Sequence, residues 1–254
     1  MGKSRFFVRL IRMLQRMVAS SLQCLRIPVQ FAALQRVPQP RFALRWRDRW
    51  LCLRDATSLT SFDRHYVFHT AWACRVLAES CPAEHVDISS SLYFCATASA
   101  FVPIRFYDYR PAPLGLSGLT CEQADLTRLH FADASIGSLS CMHVVEHVGL
   151  ARYGDPLDYD GDLKAVAELR RVLAVKGQLL FVVPIGGEAR IQFNAHRIYT
   201  YRQVLAMFTG FELVEFALIP DDGSALGLVR HADEALANAQ RYGCGCFWLR
   251  KVAP

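Results

Sequence analysis

The chain has 254 residues, 52% of them hydrophobic and 20% charged. That is enough apolar material for a full core, which excludes a mostly disordered chain, and no run of about 20 uncharged apolar residues offers a membrane span. The net charge of +6 is concentrated at one end: Met1 to Arg47 holds ten basic residues and no acidic one, leaving −4 on the rest, so no specific nucleic-acid partner is expected for the body.

The first predicted element is a basic amphipathic helix over Ser4–Leu25. Arg5, Arg9, Arg12 and Arg16 follow spacings of 4, 3 and 4 and share one face, while Phe7, Leu10, Leu14, Met17 and Val18 populate others. Arginines interrupt every apolar run of useful length, which argues against a signal peptide. Three uses stay open: adsorption to an anionic membrane surface, a transit peptide, or a helix packed on the body with a solvated arginine face. Val37-Pro-Gln-Pro40 reads as a hinge, which divides the chain into an arm, 1–40, and an α/β domain, 41–254.

Within the body, Glu84–Ile88, Ile104–Asp108, Leu119–Ala124, Ile136–Met142, Gly177–Val183, Phe211–Leu218 and Cys244–Val252 read as strands. Leu92–Phe101, Asp162–Leu173 and Tyr201–Phe208 read as helices, the second on its spacing of Leu163, Val166, Ala167, Leu169, Val172 and Leu173. Gly177–Val183 is continuously apolar, as a strand buried on both faces requires. Strands alternating with helices predict a mostly parallel, seven-stranded sheet covered by helices on both faces.

Such sheets bind ligands at the carboxyl ends of their strands. Three successive strands finish near a carboxylate: Asp87, followed by the serine turn Ser89-Ser90-Ser91, then Asp108, then Asp125. A carboxylate after the second strand suits the two hydroxyls of a ribose, and one after the third suits an exocyclic amine. Taken singly, each of the three reads as a helix cap or turn residue. Three in register favour a nucleoside-type ligand.

Nine cysteines, an odd number at scattered positions, fit free thiols in a reducing cytoplasm better than a disulfide framework. Cys244-Gly-Cys246 is explained by strand alternation, and no second pair completes a metal site. His143-Val-Val-Glu-His147 matches an inverted zinc-protease motif, but His143 falls at a strand end and Gly149 would cut a helix short, so no metal is expected there. The acidic insertion Arg152–Asp162 lacks the ligand spacing of a calcium loop and reads as a lid. Phe193-Asn194-Ala-His196-Arg197 is a polar cluster suited to a hydroxylated or anionic substrate, or a capped turn before the next helix.

The stretch Asp133–His147, the helix with Glu168-Leu-Arg-Arg-Val-Leu173, and Lys176-Gly177 before an apolar strand resemble class I S-adenosylmethionine-dependent methyltransferases. More narrowly, His85–Ser91, Phe106–Pro111, His143–Pro156 and Phe193–Ile198 resemble an uncharacterised bacterial methyltransferase-like family known only as a domain of unknown function; the likeness covers about residues 60–252. It implies a Rossmann-like methyltransferase fold and S-adenosylmethionine as cofactor, contacted by Asp87, Ser89, Ser90, Ser91, Asp108, Asp125 and Leu126. It also implies that Glu146 and His147 stand beside the reactive methyl, where either is a candidate general base or holds the loop. With Asn194 and His196 they make up the expected catalytic rim, His196 facing the substrate and His147 bracing. The first loop departs from the family, which is glycine-rich there: no glycine occurs between residues 80 and 114, and a left-handed backbone costs serine more than glycine. The expected activity is methyl transfer to a small-molecule or glycan acceptor, with surface-polysaccharide assembly as the context the likeness adds. The location expected is cytoplasmic, at the membrane surface if the arm adsorbs. The alternatives are a non-catalytic relative and a nucleotide-sugar or dinucleotide-binding enzyme.

Overall fold

The computed structural model describes residues 23–252, apart from 40, 54 and 224–226. The arginines of the basic face, Arg5 to Arg16, lie outside the described residues. The chain divides into two compact units, Met1–Phe62 and Asp63–Pro254. In the first, helix α1 occupies residues 23–35 and a single helical turn follows at Trp46–Asp48. Phe31 meets Trp46 edge-on at 5.0 Å, and the Arg49 guanidinium lies 5.1 Å from the Trp46 ring. Residues 41–62 fall in this first unit; the described ones among them lie in no strand and are mostly exposed. No helix among the described residues is long and apolar enough to cross a membrane.

The second unit runs α2 (Arg64–Ser80), β1 (His85–Ile88), α3 (Leu92–Ala98), β2 (Ile104–Asp108), β3 (Leu119–Gln123), β4 (Ile136–Met142), α4 (Gly161–Val172), β5 (Leu173–Ile185), β6 (Arg190–Gln192), β7 (His196–Ile198), α5 (Tyr201–Met207), β8 (Phe211–Ile219), α6 (Glu234–Asn238) and β9 (Gly243–Lys251). Seven strands form one sheet in the order β3-β2-β1-β4-β5-β9-β8. β9 alone runs antiparallel, to both β5 and β8. All seven expected strands are present, and β6 pairs with β7 as a separate hairpin.

Period-two alternation sorts each central strand between two cores. Leu179, Phe181 and Val183 of β5 join Phe247 and Leu249 of β9 under α4 and α5, whose Leu169 and Val204 are buried there. Leu180, Val182, Cys244, Cys246 and Trp248 face the other way, against Trp72 and Val76 of α2 and Phe94 of α3. This gives three layers, with helices on both faces. Helix α2 was not anticipated because histidines break its apolar stripe; its buried face is His69, Trp72, Ala73, Val76 and Leu77. It starts where Asp63 accepts the Tyr66 amide at 3.2 Å, an N-cap.

A polar chain crosses the sheet interior. His85 on β1 is fully buried, with its two ring nitrogens 2.7 Å from the Ser138 hydroxyl and 2.8 Å from that of Ser140 on β4. Ser140 also donates to Asp87 Oδ2. Gln178 on β5 donates to Ser138 at 3.0 Å and to Ser80 at 2.8 Å, and the Trp248 indole on β9 donates back to Gln178 at 3.1 Å. All of these groups are buried except Ser80, which is half-buried, so the bonds within the sheet are kept from water and must be satisfied within the protein.

Burial pushes Asp87 up from 3.8 to about 6 and holds His85 down from 6.5 to about 3. The two act on stability with opposite signs. Below pH 6.5 the unfolded chain protonates His85 and the folded one does not, so that contribution falls on acidification. Below about pH 6 the folded chain protonates Asp87 and the unfolded one does not until 3.8, so that contribution rises. Asp87→Asn removes only the rising part. Relative to wild type, the variant should lose about 1 kcal/mol of unfolding free energy per pH unit between pH 6 and 4. Urea unfolding of both proteins across that range checks it; parallel profiles would mean Asp87 titrates as if exposed.

Candidate functional site

A cavity of about 320 Å³ opens at the carboxyl ends of β1 to β4. Its floor is the serine turn after β1. Ser89 takes φ +58, the left-handed conformation that glycine would adopt freely, and its amide donates to Tyr107 O at 2.7 Å. Asp87 does not reach the cavity. It is fully buried below the turn, where its Oδ1 accepts the Ser90 amide at 3.0 Å. Ser90 Oγ in turn accepts the Met142 amide at 2.9 Å, tying the turn to the end of β4. Asp87, expected to touch the cofactor, therefore positions Ser89–Ser91, and the serines line the space.

Asp108 and Asp125 both line the cavity. Each spends Oδ1 on its own turn, Asp108 accepting Arg110 N at 2.7 Å and Asp125 accepting Thr127 N at 2.8 Å and its hydroxyl at 2.7 Å. Their second oxygens make no hydrogen bond among the described residues. Leu126, buried, and Ala124 supply an apolar wall beside Asp125. The loop that carries them is clasped by α4: Glu168 accepts the Leu129 amide at 2.7 Å, and Arg171 donates to the carbonyls of Phe131 at 2.8 Å and Leu129 at 2.9 Å. The Glu-Leu-Arg-Arg stretch thus sets the site from outside it.

The opposite wall comes from the loop after β4. His143 takes φ +58, and Val145–His147 forms one helical turn. Glu146 is fully buried beneath this wall, with Oε1 2.8 Å from His143 Nδ1 and 3.8 Å from His147 Nε2. Its Oε2 has no hydrogen-bond partner among the described residues, and burial raises its pKa to about 7. His147 lines the cavity. Its Nδ1 lies 2.6 Å from the Ala195 carbonyl, which only accepts, so Nδ1 carries the proton and Nε2 the lone pair. Burial lowers the pKa of His147, which leaves it neutral at pH 7.

Asn194 and His196 sit on the β6–β7 hairpin, and neither lines the cavity. Asn194 is exposed at the turn. His196 is half-buried, stacked on Tyr242 at 5.0 Å with its ring 6.3 Å from that of His147. Of the four expected rim residues, three are neighbours, but the one on the cavity wall is His147, and it also braces through Ala195. Arg197 anchors the insertion that closes the cavity, donating to Val148 O at 2.6 Å and Tyr159 O at 2.9 Å. Arg110 and Arg152 lie over the Tyr153 ring at 4.8 and 5.0 Å. Tyr66 and Arg110, which also line the cavity, were not anticipated as site residues; Tyr153 belongs to the insertion read as a lid, and Arg110 stands two residues after the strand-end carboxylate Asp108.

Residues 69–181 match the family described as methyltransferase domain, and residues 128–241 match the one described as Caenorhabditis protein of unknown function, DUF268. Among solved structures the chain is similar to Burkholderia thailandensis 1,6-didemethyltoxoflavin-N1-methyltransferase, which binds 1,6-didemethyltoxoflavin and S-adenosylhomocysteine. The identity is 12% and the TM-score 0.52, over 73% of this chain and 79% of that one. A candidate sarcosine dimethylglycine methyltransferase from Galdieria sulphuraria is similar at 14% identity and TM-score 0.51, over 73% and 85%. No curated protein matches. The strand order and these likenesses make the fold that of class I S-adenosylmethionine-dependent methyltransferases.

The insertion's geometry is testable at Gly149. Its φ is +79, and a Cβ there would lie 2.0 Å from Asp158 O. Gly149→Ala should therefore destabilise the protein by about 2–4 kcal/mol, from left-handed strain plus the collision. Thermal and urea unfolding measure this; a loss under about 0.5 kcal/mol, the size of an ordinary surface change, would mean the insertion is not packed as described.

Proposed function

We propose that the protein is an S-adenosylmethionine-dependent methyltransferase acting on a small molecule or glycan that carries a hydroxyl or similar protic nucleophile. The observation that carries this is the cavity itself, where two strand-end carboxylates with unbonded oxygens stand over a turn braced by Asp87. The residues present fit the cofactor. Asp108 would accept from the ribose hydroxyls, Asp125 with Leu126 and Ala124 would hold the adenine, and Ser89–Ser91 would pass beneath the methionine part. Bound there, S-adenosylmethionine supplies an electrophilic methyl group.

His147 is the residue proposed to take the acceptor's proton. Its Nε2 lone pair, its place on the cavity wall and its neutral state at pH 7 support that role. Glu146, at 3.8 Å from Nε2, would stabilise the imidazolium that results. His196 packs near His147 and Asn194 is exposed on the adjoining hairpin, so both would act on the acceptor's far end.

Calorimetry with S-adenosylhomocysteine tests the cofactor reading. The wild type should bind, and Asp108→Ala should bind about 1.5–3 kcal/mol more weakly, the range for hydrogen bonds to a charged group. No binding by the wild type would favour a non-catalytic relative; binding of NAD or a nucleotide sugar instead would move the activity to another class. His147→Ala should leave S-adenosylhomocysteine affinity within about 0.5 kcal/mol while lowering methyl transfer from labelled cofactor into pooled acceptors at least tenfold. Equal transfer by variant and wild type would remove His147 from the chemistry.

A further inference from the structure

Beside the cavity, three side chains remote in sequence meet at the same rim. His65 belongs to the first turn of α2, His143 follows β4, and Cys244 opens β9. The topology explains the meeting. β9 is antiparallel to β5, so its first residues lie level with the carboxyl ends of the parallel strands; Cys244 pairs with Pro184 at the end of β5. α2 lies over that face with His65, His69, Trp72 and Val76 along one side at spacings of 4, 3 and 4, so its first turns reach the rim. One donor atom from each of His65, His143 and Cys244 lies within 4.8 Å of the other two, and Cys244 Sγ is 3.3 Å from His143 Nε2.

We propose that His65, His143 and Cys244 bind a divalent transition metal of the zinc type. Tetrahedral bonds of about 2.0 Å to nitrogen and 2.3 Å to sulfur set neighbouring donors roughly 3.3–3.6 Å apart. His143 and Cys244 already stand at that separation, and the widest pair needs to close by roughly 1 Å. The surroundings are those of a ligand set. His143 turns Nδ1 to the buried Glu146 carboxylate at 2.8 Å, which directs Nε2 towards Cys244. A carboxylate behind a ligating histidine fixes its tautomer and strengthens it as a donor. His143 Nε2 has no better partner than a thiol, a weak one, although the residue is buried. Glu146 Oε2 and His69 Nε2, both buried close by, have no partner among the described residues. Two imidazoles and one thiol suit zinc over magnesium or calcium. Binding replaces the Cys244 S–H proton, which leaves to solvent, by a metal–sulfur bond; no oxidant or reductant is needed. Three protein ligands leave a fourth position for water or an incoming ligand. The inference rests on this cluster and is independent of the methyl-transfer reading.

The test uses the full chain, reduced and stripped of metal by chelator dialysis. Zinc alone is titrated against a chromogenic chelator, and cobalt(II) alone is followed by absorption. One equivalent per chain is expected, with the intense visible bands of tetrahedral cobalt(II) and a near-ultraviolet thiolate-to-metal band. Cys244→Ser should abolish the thiolate band, His65→Ala should weaken zinc binding at least a hundredfold, and Glu146→Gln should weaken it ten- to a hundredfold as an outer partner. His65 is only half-buried, so its variant keeps the test open if Cys244→Ser fails to fold. Cys81→Ser, at an exposed cysteine outside the cluster, should bind as wild type does. No stoichiometric uptake by the wild type at about 10 μM zinc, or unchanged uptake by both His65→Ala and Cys244→Ser, would overturn the proposal.

Discussion

β1 and β4 are hydrogen-bonded neighbours, yet the chain leaves them in opposite directions, β1 towards β2 and β4 towards β5. Nothing crosses over the gap between their carboxyl ends, so a space must open there. Its walls would drift if the two strands were free to shear. They are pinned by a bonded sequence from Asp87 to Ser140 within the sheet and from Ser90 to Met142 at its edge. The serine turn and the His143–His147 loop take their positions from that pair of strands, and the Asp108 turn follows through β2, which pairs with β1. The cost is a carboxylate inside the sheet with no ion-pair partner among the described residues. Its hydrogen bonds to Ser90 and Ser140 offset part of the desolvation, and burial raises its pKa to about 6.

One reversed strand decides what else reaches the rim. A parallel β9 would begin at the far edge of the sheet and carry Cys244 away from the site. Antiparallel, it delivers Cys244 and, just before it, Tyr242 to the edge where His143 emerges. Tyr242 then stacks on both His65 and His196, at 5.1 and 5.0 Å, and links the α2 side to the hairpin side. The histidines of this rim are kept neutral by the same packing: burial holds His65 and His143 down at about 4.

The strands were legible because each is a short apolar run between breakers, and such runs have few alternative uses in an alternating chain. Asp108, Asp125 and Leu126 were legible for the same reason, since strand ends are readable positions. Three kinds of feature were not. Helix α2 mixes histidines into its buried face, so its period was masked by residue type rather than by spacing. The β6–β7 hairpin has strands of three residues, too short to alternate visibly. Side-chain direction was the third: Asp87 lies two residues before the turn it governs and points inward, while Asn194 and His196 belong to a hairpin that turns them off the cavity wall. Cys244 drew notice only as half of Cys244-Gly-Cys246, which strand alternation explains; its neighbours His143 and His65 are 101 and 179 positions away in the sequence.

The missing glycines illustrate how composition and conformation separate. A glycine-rich first loop exists to permit a left-handed residue and a close backbone approach. Here Ser89 takes φ +58 without being glycine, at a cost of about 1–2 kcal/mol. The surroundings hold it there: its amide bonds to Tyr107 O at 2.7 Å and its hydroxyl to the same carbonyl at 3.3 Å, while Asp87 fixes the next amide. Across the gap His143 takes the same φ, at the same cost. These two left-handed residues, each just after one of the two strands that frame the cavity, give up stability for the shape of the cavity floor and wall. The turn keeps the backbone path that glycine would have allowed and adds a hydroxyl to it, so the substitution alters the chemistry of the cavity floor more than its form.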